Sequence, residues 1–400
     1  MTSPMNGVSD HVAIERTETK PFLDEWCIYR VPSKLRNVNK ASYTPQLLSI
    51  GPFHYGSPEL KDMESHKQKY YEKFLRRCSK NEDELKSLVK QHQARILSCY
   101  AGTIECRGKF VTMILVDACF IIELFITDSE TENHHILRSP WMRKAVETDL
   151  ILFENQIPYY FLQELYDFAI SNAEPNIAED LTPDPHRFRT LSYKVQGDCV
   201  SNQKKCKYDV RKLKAAGVKF THLAEPFVIE SLSTGVSSCR SKLACCLTTK
   251  ELKLTRFWAT YDAESVIRNI MALEQLIYPK KAYICSYFLL LSQLVNTVED
   301  IDLLIKDGVV ENLLGSNKSV EKLINSFCVH IVEEISCYSD IYDQLNEHYE
   351  TSLCNRRMAT LKQVYFKDLW TSSATILGLV VLVFSIIGTI NSLIYHKREQ

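Results

Sequence analysis

The run FVTMILVDACFIIELFI, Phe110–Ile126, is apolar almost all round and admits two readings. As a membrane span it would place Asp117 and Glu123 in hydrocarbon, where each acid costs up to ~3 kcal/mol on insertion scales. It also falls short of the roughly 20 residues needed to cross an apolar layer ~30 Å thick. We therefore read it as the central helix of a folded domain. Its two acids must then be paired or hydrogen bonded, because a lone buried carboxylate is costly. The fold class that follows is mainly α: a multi-helix globular domain with a small β element.

A second apolar run carries no charge at all. LWTSSATILGLVVLVFSIIGTINSLIY, Leu369–Tyr395, is long enough to cross a bilayer, and a buried core helix rarely stays uncharged for so long. Trp370 and Tyr395 sit where amphipathic rings prefer the headgroup level, and Lys367, Lys397 and Arg398 close the two ends. The expectation is one C-terminal transmembrane helix over 369–395, with a short tail at 396–400. The N-terminal MTSPMNGVSDHVAIERTETK lacks the apolar stretch of a secretory signal, so the bulk of the chain is expected in the cytosol, at the plasma membrane. Arg356, Arg357, Lys362 and Lys367 before the span, against Lys397 and Arg398 after it, agree with that orientation. The same cluster favours anionic lipid, at about 1 kcal/mol per contact.

The 400 residues have 45% hydrophobic and 24% charged content, ordinary values for a chain with a sizeable core. The formal net charge of −1 removes any global electrostatic argument for nucleic acid. Several of the 14 cysteines (Cys99, Cys119, Cys285 and Cys328) lie in apolar helical runs, where a free thiol acts as a small hydrophobe. Reduced, structural thiols are the expectation.

Residues 1–22 are polar and aperiodic, a disordered N-terminal arm, and 23–360 read as the folded domain. Trp26–Gly56 is aromatic-rich and interrupted by Pro32, Pro45 and Pro52, which predicts an extended segment wrapped over a core. Helical spacing follows at Leu60, Met63, Lys67, Tyr70, Tyr71 and Phe74, and again from Leu85 to Tyr100. Trp141–Phe153 and Pro158–Ala169 read as helices, and 171–205, with Pro175, Pro183 and Pro185, as a flexible insert. Val218–Leu232, Leu243–Leu247 and Glu251–Trp258 are candidate strands. Helices resume from Val266 and run to the span, the cleanest stripe being Val320, Leu323, Ile324, Phe327, Ile331 and Ile335.

No HExxH, GxSxG or strand-linked GxGxxG is present. The phosphate-loop lookalike Gly102–Lys109 has one residue too many between its glycines and Phe110 where a hydroxyl is required. Cysteine intervals such as Cys99 to Cys106 and Cys199 to Cys206 are too long for zinc pairs. His54, Glu64 and His66 could converge on a metal, but hydrogen bonding in a turn and a helix start explains them more simply. Asp117, Glu123, Glu154 and Glu274 are the acids inside apolar runs, with Arg95, Arg143 and Arg268 as candidate partners; such pairs fix packing more often than they catalyse. No catalytic, cofactor-binding or metal-binding residue is nominated.

IYRVPSKLR (Ile28–Arg36), YTPQLLSIGPFHYG (Tyr43–Gly56), LKDMESHKQKYYEKFL (Leu60–Leu75), MILVDACFIIELF (Met113–Phe125) and DLILFENQIPYYFLQEL (Asp149–Leu165) together resemble the plant family catalogued as domain of unknown function 247, or uncharacterised protein family 0481. LKAAGVKF (Leu213–Phe220), NIMALEQ (Asn269–Gln275) and the terminal span complete the order. The likeness departs most over Thr221–Tyr261, where the family's Ile-Pro-x-Leu-x-Ile-like stretch survives only as traces. The resemblance implies a mostly helical plant protein with one C-terminal span and no established catalytic residues, and some grass members are associated with pollen self-incompatibility. Two functions compete. The leading expectation is a non-enzymatic, membrane-tethered recognition protein that meets lipid through its span and an unknown protein partner. The alternative is a lipid- or metabolite-acting enzyme with an unrecognised Cys/His/acid site. Export as an ectodomain would be supported by glycan on the sequon Asn317-Lys318-Ser319.

Overall fold

Burial separates the two long apolar helices. In the computed structural model of the chain, helix α4 (Phe110–Ser129) has 83% of its Phe110–Thr127 stretch buried, whereas none of Ser373–Ile390 is. The structure describes residues 28–104, 108–129, 139–170, 205–223, 230–235, 249–332, 337–365 and 369–398. The expected N-terminal arm, all but the last residue of the 171–205 insert, and the candidate strand Leu243–Leu247 lie outside those residues. The chain is mainly α.

Around α4 pack α2 (Lys61–Arg77), α3 (Glu82–Ser98) and α6 (Tyr159–Ala169), with α5 (Pro140–Ile151) leading into α6 and the four-residue helix α1 (Ser33–Arg36) upstream. The helix starts follow capping chemistry. Asn81 Oδ1 accepts from Glu84 N while Glu84 Oε2 accepts from Asn81 N, a reciprocal box at 2.9 Å each way. Pro140 occupies the first turn of α5, and Pro158 immediately precedes α6. The resulting core is built from Phe74, Val89, Ile114, Leu115, Cys119, Phe120 and Phe161. Strands β1 (Ile28–Tyr29) and β2 (Tyr100–Ala101) pair in parallel beside it.

The second half is built on α9 (Tyr283–Leu294), another run apolar on most of its faces and buried on them. Against it lie α8 (Ala263–Ile277) and α11 (Asn317–Phe327). Helices α7 (Val210–Ala215), α10 (Val298–Lys306) and α12 (Ser339–Thr351) complete this half, and α13 (Leu353–Tyr365) and α14 (Leu369–Arg398) follow. Phe288 stands at its centre, with ring centroids 4.7 Å from Phe327 and 5.4 Å from Phe257. A three-stranded sheet, β3 (Val218–Leu223), β5 (Thr249–Thr255) and β4 (Glu230–Gly235) in that spatial order, joins β3 and β5 in parallel and β4 and β5 antiparallel. A parallel pair, β6 (Phe257–Ala259) with β7 (Val310–Asn312), completes the small β content. Between the two cores, Val31, Leu35 and Tyr43 pack with Phe153 and with Ala272 of α8, so the extended segment contacts both halves.

Phe288→Ala, which empties the middle of the aromatic cluster, should cost about 3–5 kcal/mol. Trp141→Ala, at a side chain 71% exposed, should stay within about 0.5 kcal/mol. Urea denaturation of the detergent-solubilised chain would measure both.

Candidate functional site

The segment expected to be extended throughout coils over Ser33–Arg36 and Lys40–Tyr43, and elsewhere has no helix or long ladder to occupy its peptide groups, yet buried amides must be satisfied. Between Val31 and Gly56 the chain solves this with side chains from elsewhere. Val31 N donates to Glu154 Oε1. Leu47 N and Leu48 N donate to Asp149 Oδ2 at 2.7 Å each, Gln46 N to Asp149 Oδ1 at 3.0 Å, and Ile50 N to Asn155 Oδ1 at 2.7 Å. Gly51 N donates to Asp117 Oδ2 at 2.9 Å. Carbonyls are met in return: Lys67 Nζ reaches Ser49 O at 2.9 Å, Asn155 Nδ2 reaches Leu48 O at 2.9 Å, and Asn269 Nδ2 reaches Ser42 O at 2.7 Å. Asp149 ends α5, Glu154 and Asn155 lie in the turn before α6, and Asp117 sits mid-α4. Gly51 is needed where it stands, since φ is +69° and an added Cβ would lie 2.5 Å from Gln156 O.

The charges in this clamp are matched. Lys67 Nζ lies 2.5 Å from Asp117 Oδ1 and 2.6 Å from Glu64 Oε1. Burial raises the Asp117 pKa to about 6, with Lys67 and the Gly51 amide pulling against it. Burial raises the Asp149 pKa too, against the three strap amides. Glu154 ends below the ordinary carboxyl value: burial pushes it up, but His54, Arg36 and the Val31 amide outweigh that. Arg36 reaches Glu154 Oε1, and His54 Nε2 lies 3.3 Å from Oε2. Glu123 is held by Arg77 Nε at 3.0 Å and Lys73 Nζ at 3.2 Å. Glu274 accepts from Ile284 N at 2.9 Å and Cys285 N at 2.8 Å, a carboxylate at the N-terminus of α9, and burial lifts it to about 7.

Each of the four acids thus has a partner, though not the arginines expected, while among the described residues Glu123 Oε2 and Glu154 Oε2 accept no hydrogen bond. Arg95 stacks 3.9 Å over the Tyr160 ring, and Arg268 pairs with Glu264 at 2.8 Å. The cations come instead from α2 and the extended segment, and Glu274 uses backbone amides. A signal was available: Lys67 falls on the apolar stripe of α2, where a lysine must bring a partner.

The other candidates disperse. His54 faces Glu154 and Glu64 faces Lys67, and among the described residues no three His, Cys, Asp or Glu side chains form a metal cluster. No described cysteine or hydroxyl hydrogen bonds to the His54 ring, so the His–carboxylate pair lacks a nucleophile there. The eight described cysteines are free thiols, with Cys99, Cys119, Cys206 and Cys285 buried. Asn317 of the sequon has its amide engaged: Nδ2 donates to Asp302 Oδ1 at 2.5 Å, and Oδ1 accepts from Asn312 at 2.6 Å.

An open groove of about 400 Å³ lies beside β7, lined by Arg256, Gly308, Glu311, Asn312 and Asn317 among others. Arg256 spans it, with Nε on Gly308 O at 3.1 Å, Nη2 3.0 Å from His222 Nε2 and Nη1 3.6 Å from Glu311 Oε2. Trp258, 48% exposed, is in register with Glu311 across the β6–β7 pair. Ile305 and Val310 line the groove too, so it is an open surface of mixed polarity. Nothing in the residue pattern flagged it, since His222, Arg256 and Gly308–Asn317 meet only through the sheets.

A family described as DUF247, plant protein of unknown function, matches the chain over residues 28–207 and 182–384. UPF0481 protein At3g47200 of Arabidopsis thaliana is 25% identical over 94% of this chain, which covers 87% of that protein. Putative UPF0481 protein At3g02645 of the same plant is 32% identical over 38% of this chain and 29% of its own length. No solved structure matches the chain.

Lys67→Met alone strands Asp117 and should destabilise the chain by about 3–5 kcal/mol, with Lys67→Met/Asp117→Leu recovering part of the loss in urea denaturation. For Glu274, a folded pKa of about 7 against an ordinary 4.5 means a stabilising contribution present below about 4.5 and lost as pH rises through about 7. Glu274→Gln should therefore gain on the native chain between those pH values. The gain, on the order of 3 kcal/mol at most, would be read as the difference in Tm.

Proposed function

The chain belongs to the DUF247 family of plant proteins of unknown function, and from that premise we propose a membrane-tethered recognition protein without catalytic activity of its own. In this reading α14 crosses the plasma membrane, and the helical body stays in the cytosol and binds another protein. The observation that carries it is the contrast between two helices of equal apolar character. One is 83% buried by its own fold, and the other is wholly unburied over Ser373–Ile390. Eleven large apolar side chains, from Ile376 to Ile390, are exposed there and have no other ready solvent than lipid.

Two further features support the recognition half. The buried acids and amides are taken up in holding backbone, as Asp149 and Asn155 are, which leaves them unavailable for chemistry on a substrate. The groove beside Arg256 and the exposed Trp258 is an open surface of mixed polarity, and arginine and tryptophan are enriched where protein partners meet. Signalling of the self-incompatibility kind is the finer form of the same proposal.

Cell fractionation tests it. The full chain should pellet with membranes and resist alkaline extraction, and a chain lacking 369–395 should move to the supernatant. Equal pelleting of the two would sink the proposal. Added protease on sealed membranes should digest the body if it faces the cytosol.

A further inference from the structure

Over Leu353–Leu361, helix α13 turns its large apolar side chains outward. Its inner face is polar and tied to the body: Asn355 is buried, with Nδ2 donating to Ala216 O at 2.6 Å, and Arg356 stacks 4.6 Å over the Tyr349 ring. The outer face carries Leu353 and Met358, each 54% exposed, and Leu361, 47% exposed, with Arg357 exposed beside them. A helix on a water-facing surface has the reverse arrangement. Leu353 and Leu361 are eight residues apart, so the apolar stripe runs about 12 Å along the axis.

What covers this face follows from where it is tethered. Only residues 366–368 separate α13 from α14, a reach of at most about 14 Å. The sequence from 353 to 368 holds Arg356, Arg357, Lys362 and Lys367 against the one acid Asp368. A second copy would set that basic stretch against its like, whereas an anionic bilayer surface attracts it and also offers hydrocarbon to the leucines. We propose that α13 lies along the membrane surface, its Leu353, Met358 and Leu361 at the headgroup–acyl boundary and Arg357 and Lys362 on anionic phospholipid headgroups. This rests on the reading of α14 as a span. It makes the contact between body and bilayer a docked one, so that the body does not hang from a free linker.

Photo-crosslinking of the full chain tests it, with a benzophenone side chain placed singly at Leu361, at Leu382 in α14 or at the exposed Leu313 on the body. The protein is reconstituted in vesicles of phosphatidylcholine with phosphatidylserine, or of phosphatidylcholine alone. The expected result is lipid adducts from positions 361 and 382 and none from 313. Removing phosphatidylserine, or adding Arg357→Glu with Lys362→Glu, should lower the 361 adduct at least about fivefold and leave the 382 adduct unchanged. Lipid adducts at 382 alone, or a protein crosslink at 361, would overturn the docked helix while the span stands. No lipid adduct at 382 would remove the span, and the docked helix with it.

Discussion

Satisfying the backbone of an extended segment inside a helical protein is the constraint on which this structure depends. Residues 31–56 carry three prolines and coil only briefly, over Ser33–Arg36 and in a 3-10 turn at Lys40–Tyr43, and the short β1–β2 ladder lies just before them. Each buried amide left unmet would cost about 1–3 kcal/mol. The fold answers with acceptors on fixed elements: Asp117 from α4, Asp149 from the end of α5, and Glu154 and Asn155 from the turn that follows. Once those groups are committed, the positions of α4, α5 and α6 relative to the segment are determined. The wedge of Val31, Leu35 and Tyr43 against Ala272 extends the same control to the second core.

The two long apolar helices show how little composition alone settles. The apolar run Phe110–Ile126 is short for a span, but the 20-residue helix it forms passes the same length and hydropathy criteria as Ser373–Ile390. The difference lies in Asp117 and Glu123, which would be liabilities in lipid and here anchor α4 to Lys67, Lys73 and Arg77 of α2. Acids that exclude a helix from the membrane also attach it to its neighbours.

Much of this architecture was legible in the residues. Helical periodicity located α2, α8 and α11, because burial against a core imposes the same 3.6-residue spacing, although α11 ends at Phe327, short of the Ile331 that the stripe included. Helix α4, apolar almost all round, was placed by its acids. Prolines marked the extended segment. The acids were recognised as buried, but their partners were not, since pairing across 46 to 118 residues leaves no local period. Lys67 was the exception that could have been read, a cation on an apolar stripe. The groove was invisible for the same reason: β3 and β5 pair across a stretch of weak patterning, and only that pairing brings His222 to Arg256.

The clamp also imposes an order of events during synthesis. Ser42 waits for Asn269, 227 residues later, and at roughly 5–20 residues per second the ribosome needs about 10 to 45 s to supply it. The amides of the segment meet Asp117, Asp149, Glu154 and Asn155 long before that, so through the interval only its face toward the second half stays open to water and to any holdase nearby. The nascent chain can thus assemble its first core early, and it exposes the surface around Ser42 until α8 emerges to close it.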